Sequence, residues 1–236
     1  MEAVSFNNLV PDTGHKSGVS QNWRLLPLYT LRLHTIPDPV RTSVEQFIYQ
    51  RFAHQYGARI SSFLPILLSA WGEKGINAAL GFQPASIQPL FLEQYLDHDI
   101  ETSLRLVTQI NIRREQIVEI GNLASSRQKA TQSLFLLLAQ ILYKADYEWV
   151  VFTANRAVRA WLLHLQIPVF ELNEADPGRL PDKGEHWGSY YDDRPVVLAA
   201  NIDRSFSTIN ATQPLMAHLH DSYAKQIIQF AVKLRQ

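Results

Sequence analysis

The spacing of hydrophobic and polar positions changes period several times along the chain. Residues 25–36, LLPLYTLRLHTI, alternate, with Leu31, Leu33 and Thr35 on one side, which predicts a half-buried strand ending at the turn Pro37-Asp38-Pro39. In the following VRTSVEQFIYQRFAHQYGA, Val44, Phe47, Ile48, Phe52 and Tyr56 recur at helical spacing. This predicts a helix capped by Thr42 or Ser43 and closed by Gly57. Two β-like runs, ISSFLPILLSAW (60–71) and INAALGFQPA (76–85), flank the short charged turn GEKG and predict a hairpin. Residues 90–108 read as one or two short helices, with Asp97 and Asp99 as start signals.

The second half has a different rhythm. QIVEIGNLASSRQKAT (116–131) begins as a buried strand and ends as the start of a helix. The helix over 127–145 is apolar on nearly every side after Ser133. It is followed by a strand at WVVFTAN (149–155), a helix at 156–167 and a strand at PVFEL (168–172). This β-α-β-α-β succession predicts parallel strands joined by crossover helices. After the polar loop 175–194 come a strand at PVVLAANI (195–202) and an amphipathic helix within 215–234, carrying Tyr223, Ile227, Ile228, Phe230 and Val232. The loop is long for a compact domain, which marks it as a candidate functional segment. In HLHD (218–221) two histidines stand two residues apart and share no helix face, so they read as solvent-facing and no metal site is expected.

Composition narrows the classes. The 236 residues, 46% hydrophobic, can bury a large core. We expect one domain over 25–236, preceded by a loose arm, 1–24, rich in Asn, Ser, Gly and Asp. The 22 basic residues balance 22 acidic ones, and no local basic patch stands out, so nucleic acid is not an expected partner. Cysteine is absent, which removes disulfides, thiolate nucleophiles and Cys-based zinc sites. The start has no basic segment followed by an apolar core, so the expected location is cytoplasmic. The longest apolar block, LFLLLAQILY (134–143), is half the ~20 residues a membrane span needs, so stable membrane insertion is not expected.

The order of elements is that of an α/β GNAT-like acyltransferase fold: a mixed central sheet flanked by helices, antiparallel strands first and a parallel pair in the middle. Several blocks go further. VEQFIYQRFAHQYGARISSFLP, GFQPA with LFLEQYLD, IVEIGNLAS, WVVFTAN, ADPGRL and WGSYY together resemble the thermostable haemolysin family from about residue 41 to 202. That resemblance implies a fold related to N-acyltransferases and acyl-homoserine-lactone synthases. The family name implies lytic activity, so direct membrane action is the alternative to enzyme chemistry. In enzymes of this fold a basic, Gly-rich loop holds the pyrophosphate of coenzyme A. Here the matching run is ASSRQKATQ, where Arg127 fits but Ala130 stands where Gly, and Gln132 where Gly or Ala, is expected. This departure brings in acyl-carrier protein, whose phosphopantetheine carries less phosphate, beside acyl-CoA as donor. A small amine is the implied acceptor.

The candidate site follows from the junction itself. Period two places Ile117, Glu119, Gly121 and Leu123 on one face, and Val118, Ile120, Asn122 and Ala124 on the other. A carboxylate beside a glycine on a buried strand suits general-base work on an amine, with Gly121 leaving room for a thioester. The bland alternative pairs Glu119 with Arg32 or Arg113. Asn122 either donates to a thioester carbonyl or satisfies a neighbouring loop. Gly121, Asn122, Leu123 and Ala124 would line the thioester. Ser125, Ser126, Arg127 and Lys129 would lie near phosphate, with Ser125 and Gln128 forming a capping box at the helix start. The resemblance adds Tyr190 and Tyr191, at the approach to the last strand, as candidate general acids.

Overall fold

The computed structural model describes residues 29–213 and 215–235, except for the side chain of Gln128. The expected arm, and residues 25–28 of the first expected strand, lie outside the described residues. From Thr30 onward the order is β1 (Thr30–His34), α1 (Arg41–Tyr56), β2 (Ile66–Gly72), β3 (Gly75–Pro84), a 3-10 turn (Phe91–Tyr95) and α2 (Ile100–Thr108). Then follow β4 (Ile117–Ser125), α3 (Gln128–Lys144), β5 (Trp149–Ala154), α4 (Arg156–His164), β6 (Phe170–Glu174), a 3-10 segment (Glu185–Asp193), β7 (Val196–Asn201), α5 (Ile202–Thr212) and α6 (Leu215–Leu234).

The seven strands form one mixed sheet in the order β1-β2-β3-β4-β5-β7-β6. The hairpin β2–β3 forms as expected, and β4 and β5 are parallel neighbours. The strand after α4 runs in the same direction as β4 and β5, as expected of a crossover connection, but it is not the neighbour of β5, because β7 lies between them. That strand starts later, at Phe170, and lies at the sheet edge antiparallel to β7, which itself runs antiparallel to β5. Its apolar composition suits an edge covered on one side, since Phe170 and Leu172 pack on the core while Glu171 faces solvent.

Helix α1 ends as its sequence dictates, with Gly57 at φ 67° donating its N–H to Ala53 O. Its start does not: Val40 occupies the N-cap, and neither Thr42 nor Ser43 caps it. At α2, Asp99 accepts from the Thr102 N–H at 2.8 Å, as the sequence predicts. Helix α5 was not expected, because it follows β7 without an intervening turn. Its start is capped by Asn201, which accepts from the Arg204 N–H. In α6, Tyr223, Ile227 and Phe230 are buried. Ile228 and Val232 belong to the opposite, exposed face and are not part of the apolar stripe.

Helices α3 to α6 cover one face of the sheet, packed on Leu80, Val118, Phe152 and Leu198. Helices α1 and α2, with the 3-10 segments, cover the other, packed on Leu67, Ala79, Ile117 and Val151. The middle of the sheet is therefore buried on both sides, which explains the unbroken apolar run of β5.

Candidate functional site

The site arises where β4 and β5 part. Their ladder runs from Ile117↔Trp149 to Ile120↔Phe152 and stops, although β4 continues to Ser125. From Gly121 onward the β5-facing edge of β4 has no strand opposite it among the described residues. On the other edge, Gly81 pairs with Gly121 and Ala79 with Ala124, so Asn122 and Leu123 stand opposite the single Leu80. This is a β-bulge, and Asn122 takes the left-handed conformation, φ 51°, that it requires. Asparagine adopts that conformation more readily than most residues.

The bulge corrects the expected alternation. Glu119 and Gly121 share a face with Ile117, as period two dictates. The extra residue then reverses the order, so that Leu123 packs with Ile120 toward α3 and Ala124 packs toward α1. Asn122 turns toward the loop before β2, where its Oδ1 accepts from the Leu64 N–H at 2.9 Å and its Nδ2 donates to Ser62 O at 3.3 Å. A side chain at Gly81 would come within 2.9 Å of Asn122 Oδ1, and one at Gly121 would meet Leu64, so both glycines make room for this cross-link.

Glu119 is 4% exposed. Its two oxygens accept from the backbone N–H groups of Phe91 (2.8 Å) and Leu92 (3.1 Å). Among the described residues it forms no ion pair. Arg32 instead lies over the Trp71 ring at 4.6 Å, and the register-fixing pair with Arg32 or Arg113 is not made. Burial pushes the Glu119 carboxyl up to about 8, against the opposing pull of the two amides. It can therefore exchange a proton near neutrality, a property suited to acid–base work.

The turn that holds Glu119 is itself tied down. Arg114 donates to both oxygens of Glu93 (2.8 Å each), to Glu101 (2.7 Å) and, through Nε, to Ala85 O (2.7 Å). Glu93 in turn accepts from the Leu90 and Ile100 N–H groups. Burial works to raise the Glu93 carboxyl, but Arg114 and these amides outweigh it and its pKa falls below the ordinary range. A lowered carboxylate pKa contributes stability above its unfolded value and loses it as pH falls. Arg114→Met is therefore expected to cost about 1–3 kcal/mol at pH 7, the pair being partly exposed, and clearly less near pH 3. Urea titrations at the two pH values check this.

A cavity of about 140 Å³ fills the wedge between the parted strands. Glu119, Ile120, Gly121, Asn122 and Leu123 of β4 line it, with Phe152, Thr153 and Asn155 opposite. Because the bulge sends Asn122 and Leu123 to opposite faces, the cavity passes from the α1 side of the sheet to the α3 side. On the α3 side Ile120, Phe135 and Phe152 also wall a second, wholly apolar chamber of about 40 Å³, bounded by Ala139, Leu142 and Ile209 among others.

The expected site residues are distributed unevenly around this cavity. Tyr190 lines it, whereas Tyr191 does not; its hydroxyl is paired with that of Tyr95 at 2.5 Å. Tyr56 also lines it, and its hydroxyl accepts from Asn155 Nδ2 (3.1 Å) and Gln55 Nε2 (2.9 Å), leaving its own proton free to donate. Burial pushes the Tyr56 phenol up to about 12, with Asn155 opposing. Its helical spacing marked it only as core, and nothing in the sequence tied it to Asn155, 99 positions away.

The capping box at the start of α3 is corrected as well. Arg127, not Ser125, occupies the N-cap and supplies no side-chain cap, while Ser125 pairs through its hydroxyl with Thr131. The expected reach of Gln128 lies outside the described residues. Ser126 donates to Asn77 O through both its N–H and its hydroxyl, and Arg127 and Lys129 are exposed. The histidines of HLHD stand on α6, His218 half-buried and His220 exposed. Among the described residues no cluster of His, Asp and Glu has the makings of a metal site, and no helix is long and apolar enough to cross a membrane.

The mixed sheet, with antiparallel strands first and a parallel pair in the middle, is a GNAT-like fold, and solved structures are similar to it. The fold is similar to that of a CoA-dependent acyl-homoserine lactone synthase, BjaI, with SAM and isopentyl-CoA (TM-score 0.51, 11% identity, 83% of this chain and 90% of that one). It is also similar to FeeM, an N-acyl amino acid synthase from uncultured soil microbes (0.52, 12%, 76% and 98%), and to TofI in an apo form (0.54, 10%, 79% and 99%). No curated protein matches the chain. The family model for thermostable hemolysin matches residues 34–206, and the chain belongs to that family.

Proposed function

We propose that the protein is an N-acyltransferase that moves an acyl group from a thioester of coenzyme A or of carrier-protein phosphopantetheine to an amine. The observation that carries this reading is the passage through the β4–β5 wedge, with an ionisable carboxyl on one side of the sheet and an apolar chamber on the other. The thioester sits at the wedge, its pantetheine amides pairing with the open edge of β4 between Gly121 and Ala124. The acyl tail passes Leu123, Phe135 and Phe152 into the chamber. Phosphate meets the N-terminus of α3, where the N-cap Arg127 makes no side-chain cap among the described residues and stands beside Lys129. Ser125 and Ser126 hold this turn in place rather than reaching for phosphate.

Glu119 takes a proton from the attacking amine. Tyr56 is the better placed of the tyrosines to meet the departing sulfur, because its hydroxyl is oriented by Asn155 and still has a proton to donate. With a phenol near 12 and a thiol near about 8.5, that contact is a hydrogen bond to the sulfur rather than a full transfer. Tyr190 remains beside it as a cavity wall, and Tyr191 acts through Tyr95.

Thermal-shift titration with acyl-CoAs and acyl-carrier proteins of rising chain length tests the donor. Affinity is expected to rise about fourfold per buried methylene, from ~0.8 kcal/mol each, until the chamber is full. Ala139→Phe, which fills that chamber, is expected to remove the gain for the longer chains and leave the short ones unchanged. No shift with any donor, together with dye leakage from lipid vesicles at the same protein concentration, would replace this reading with direct membrane action.

A further inference from the structure

The two ends of the cavity differ in chemistry. Toward α3 its walls are mostly aliphatic. Toward α1, Phe52, Tyr56, Phe91, Tyr95, Trp187 and Tyr190 surround it, brought together from α1, the 91–95 turn and the 185–193 segment. The rings brace one another at an angle: Tyr56 and Tyr190 meet edge-on at 5.2 Å, Trp187 and Tyr190 at 5.3 Å and 46°, and Phe91 and Trp187 at 5.8 Å and 43°. A plain aromatic core would close these faces on each other. Here Tyr56, Phe91, Trp187 and Tyr190 stay half-buried and border open space. Among the described residues lining that space there is no Lys, Arg or His, and apart from the tyrosines Glu119 is the one ionisable side chain.

We infer that the acceptor is a protonated primary amine on an aromatic or alkyl body that bears no carboxylate, bound between these ring faces and Glu119. Ring faces carry negative quadrupole charge and attract an ammonium within about 6 Å of a centroid. A carboxylate on the same acceptor would be desolvated against those faces and Glu119 with no cation to meet it. Burial holds the Tyr56, Tyr95 and Tyr190 phenols neutral, so they add no charge of their own. The inference rests on the acyl-transfer reading, for which the balanced step is RCO–SR′ + R″NH3+ → RCO–NHR″ + R′SH + H+. The carbon–nitrogen bond forms as the carbon–sulfur bond breaks. Of the two protons the nitrogen loses, one ends on the thiol and one leaves through Glu119.

The test compares two acceptors of the same body, phenethylamine and L-phenylalanine. Binding is read by isothermal titration to the full chain without donor, and transfer by thiol release from decanoyl-CoA and from decanoyl carrier protein. Phenethylamine is expected to bind at least tenfold more tightly and to be acylated in preference. Tyr190→Leu is expected to weaken its binding about tenfold while Tyr190→Phe keeps it, with melting temperatures of both variants recorded to show that each is folded. Acylation of L-phenylalanine at an equal or higher rate overturns the inference and leaves the acyl-transfer reading standing. Phenethylamine binding that depends on the Tyr190 ring, without consumption of either thioester, supports the ammonium site and sinks the acyl-transfer reading. No binding of phenethylamine to the folded protein overturns the inference.

Discussion

Glu119→Gln is expected to lower kcat for acyl transfer by about 10²–10⁴-fold, the range for loss of a positioned general base, and to change how stability depends on pH. The second effect needs no substrate and follows from the carboxyl's environment alone. Its pKa stands near 8 in the folded protein against an ordinary 4.5, chiefly because burial disfavours the charged form. A carboxyl raised in this way stabilises the fold fully below its unfolded value, and that contribution is lost as pH rises through about 8. Across that window the wild-type protein should lose about 1.4 kcal/mol per pH unit from this one group. Glutamine cannot ionise, so the variant should lack that slope. It should nonetheless be less stable at pH 5, because its NH2 cannot accept the second of the two amide bonds from Phe91 and Leu92. The two stability curves are thus expected to converge as pH rises from 5 to 9. Parallel curves would mean that the Glu119 carboxyl is not raised above its unfolded value, and the group would then be too weak a base to be poised near neutrality.

Glu119 was legible in the sequence because a carboxylate within IVEIG breaks the apolar pattern of a strand, and nothing in a plain packing role accounts for it. The strands and long helices were legible for the converse reason: burial on one face imposes a period, and the period can be counted. What escaped detection was set by contacts between distant stretches. The bulge depends on Asn122 meeting Leu64 and Ser62, and Tyr56 acquires its meaning only from Asn155. The aromatic wall needs the 185–193 segment to fold back on α1. The local signal at Asn122 was present, since Gly-Asn inside a strand favours a residue in the left-handed region. Period two was applied through it, and Asn122, Leu123 and Ala124 were placed on the wrong faces as a result. The edge position of β6 could not be read from PVFEL at all, because an apolar run of that length fits an edge strand covered on one side as well as a central one.

Gly188→Ala is expected to be among the most damaging single-methyl additions in the molecule. Gly188 sits at φ 54°, ψ −130°, a conformation close to glycine-only, in the middle of the 185–193 segment. A Cβ there would lie 1.9 Å from the Tyr56 carbonyl oxygen and 2.9 Å from the Gly57 carbonyl carbon, so backbone must move. This is where the segment crosses the end of α1, pinned on either side by the Arg59 N–H to His186 O (2.6 Å) and by Ser189 Oγ to Tyr56 O (3.3 Å). The cost of strain plus displacement is on the order of 3 kcal/mol. Gly57→Ala gives the proper comparison. Its φ is also positive, at 67°, but nothing lies within 4 Å of the added atom, so it should cost only about 1 kcal/mol. The Gly188 variant has a cheaper escape than global unfolding, which is for the segment to lift off α1 and carry Trp187 and Tyr190 with it. The expected result is therefore a moderate fall in melting temperature, a large rise in proteolytic cleavage between residues 177 and 194, and loss of binding in the cavity. Equal melting and cleavage for the two variants would show that the segment is not held at this crossing, and the aromatic wall would then have to be stabilised by its ring contacts alone.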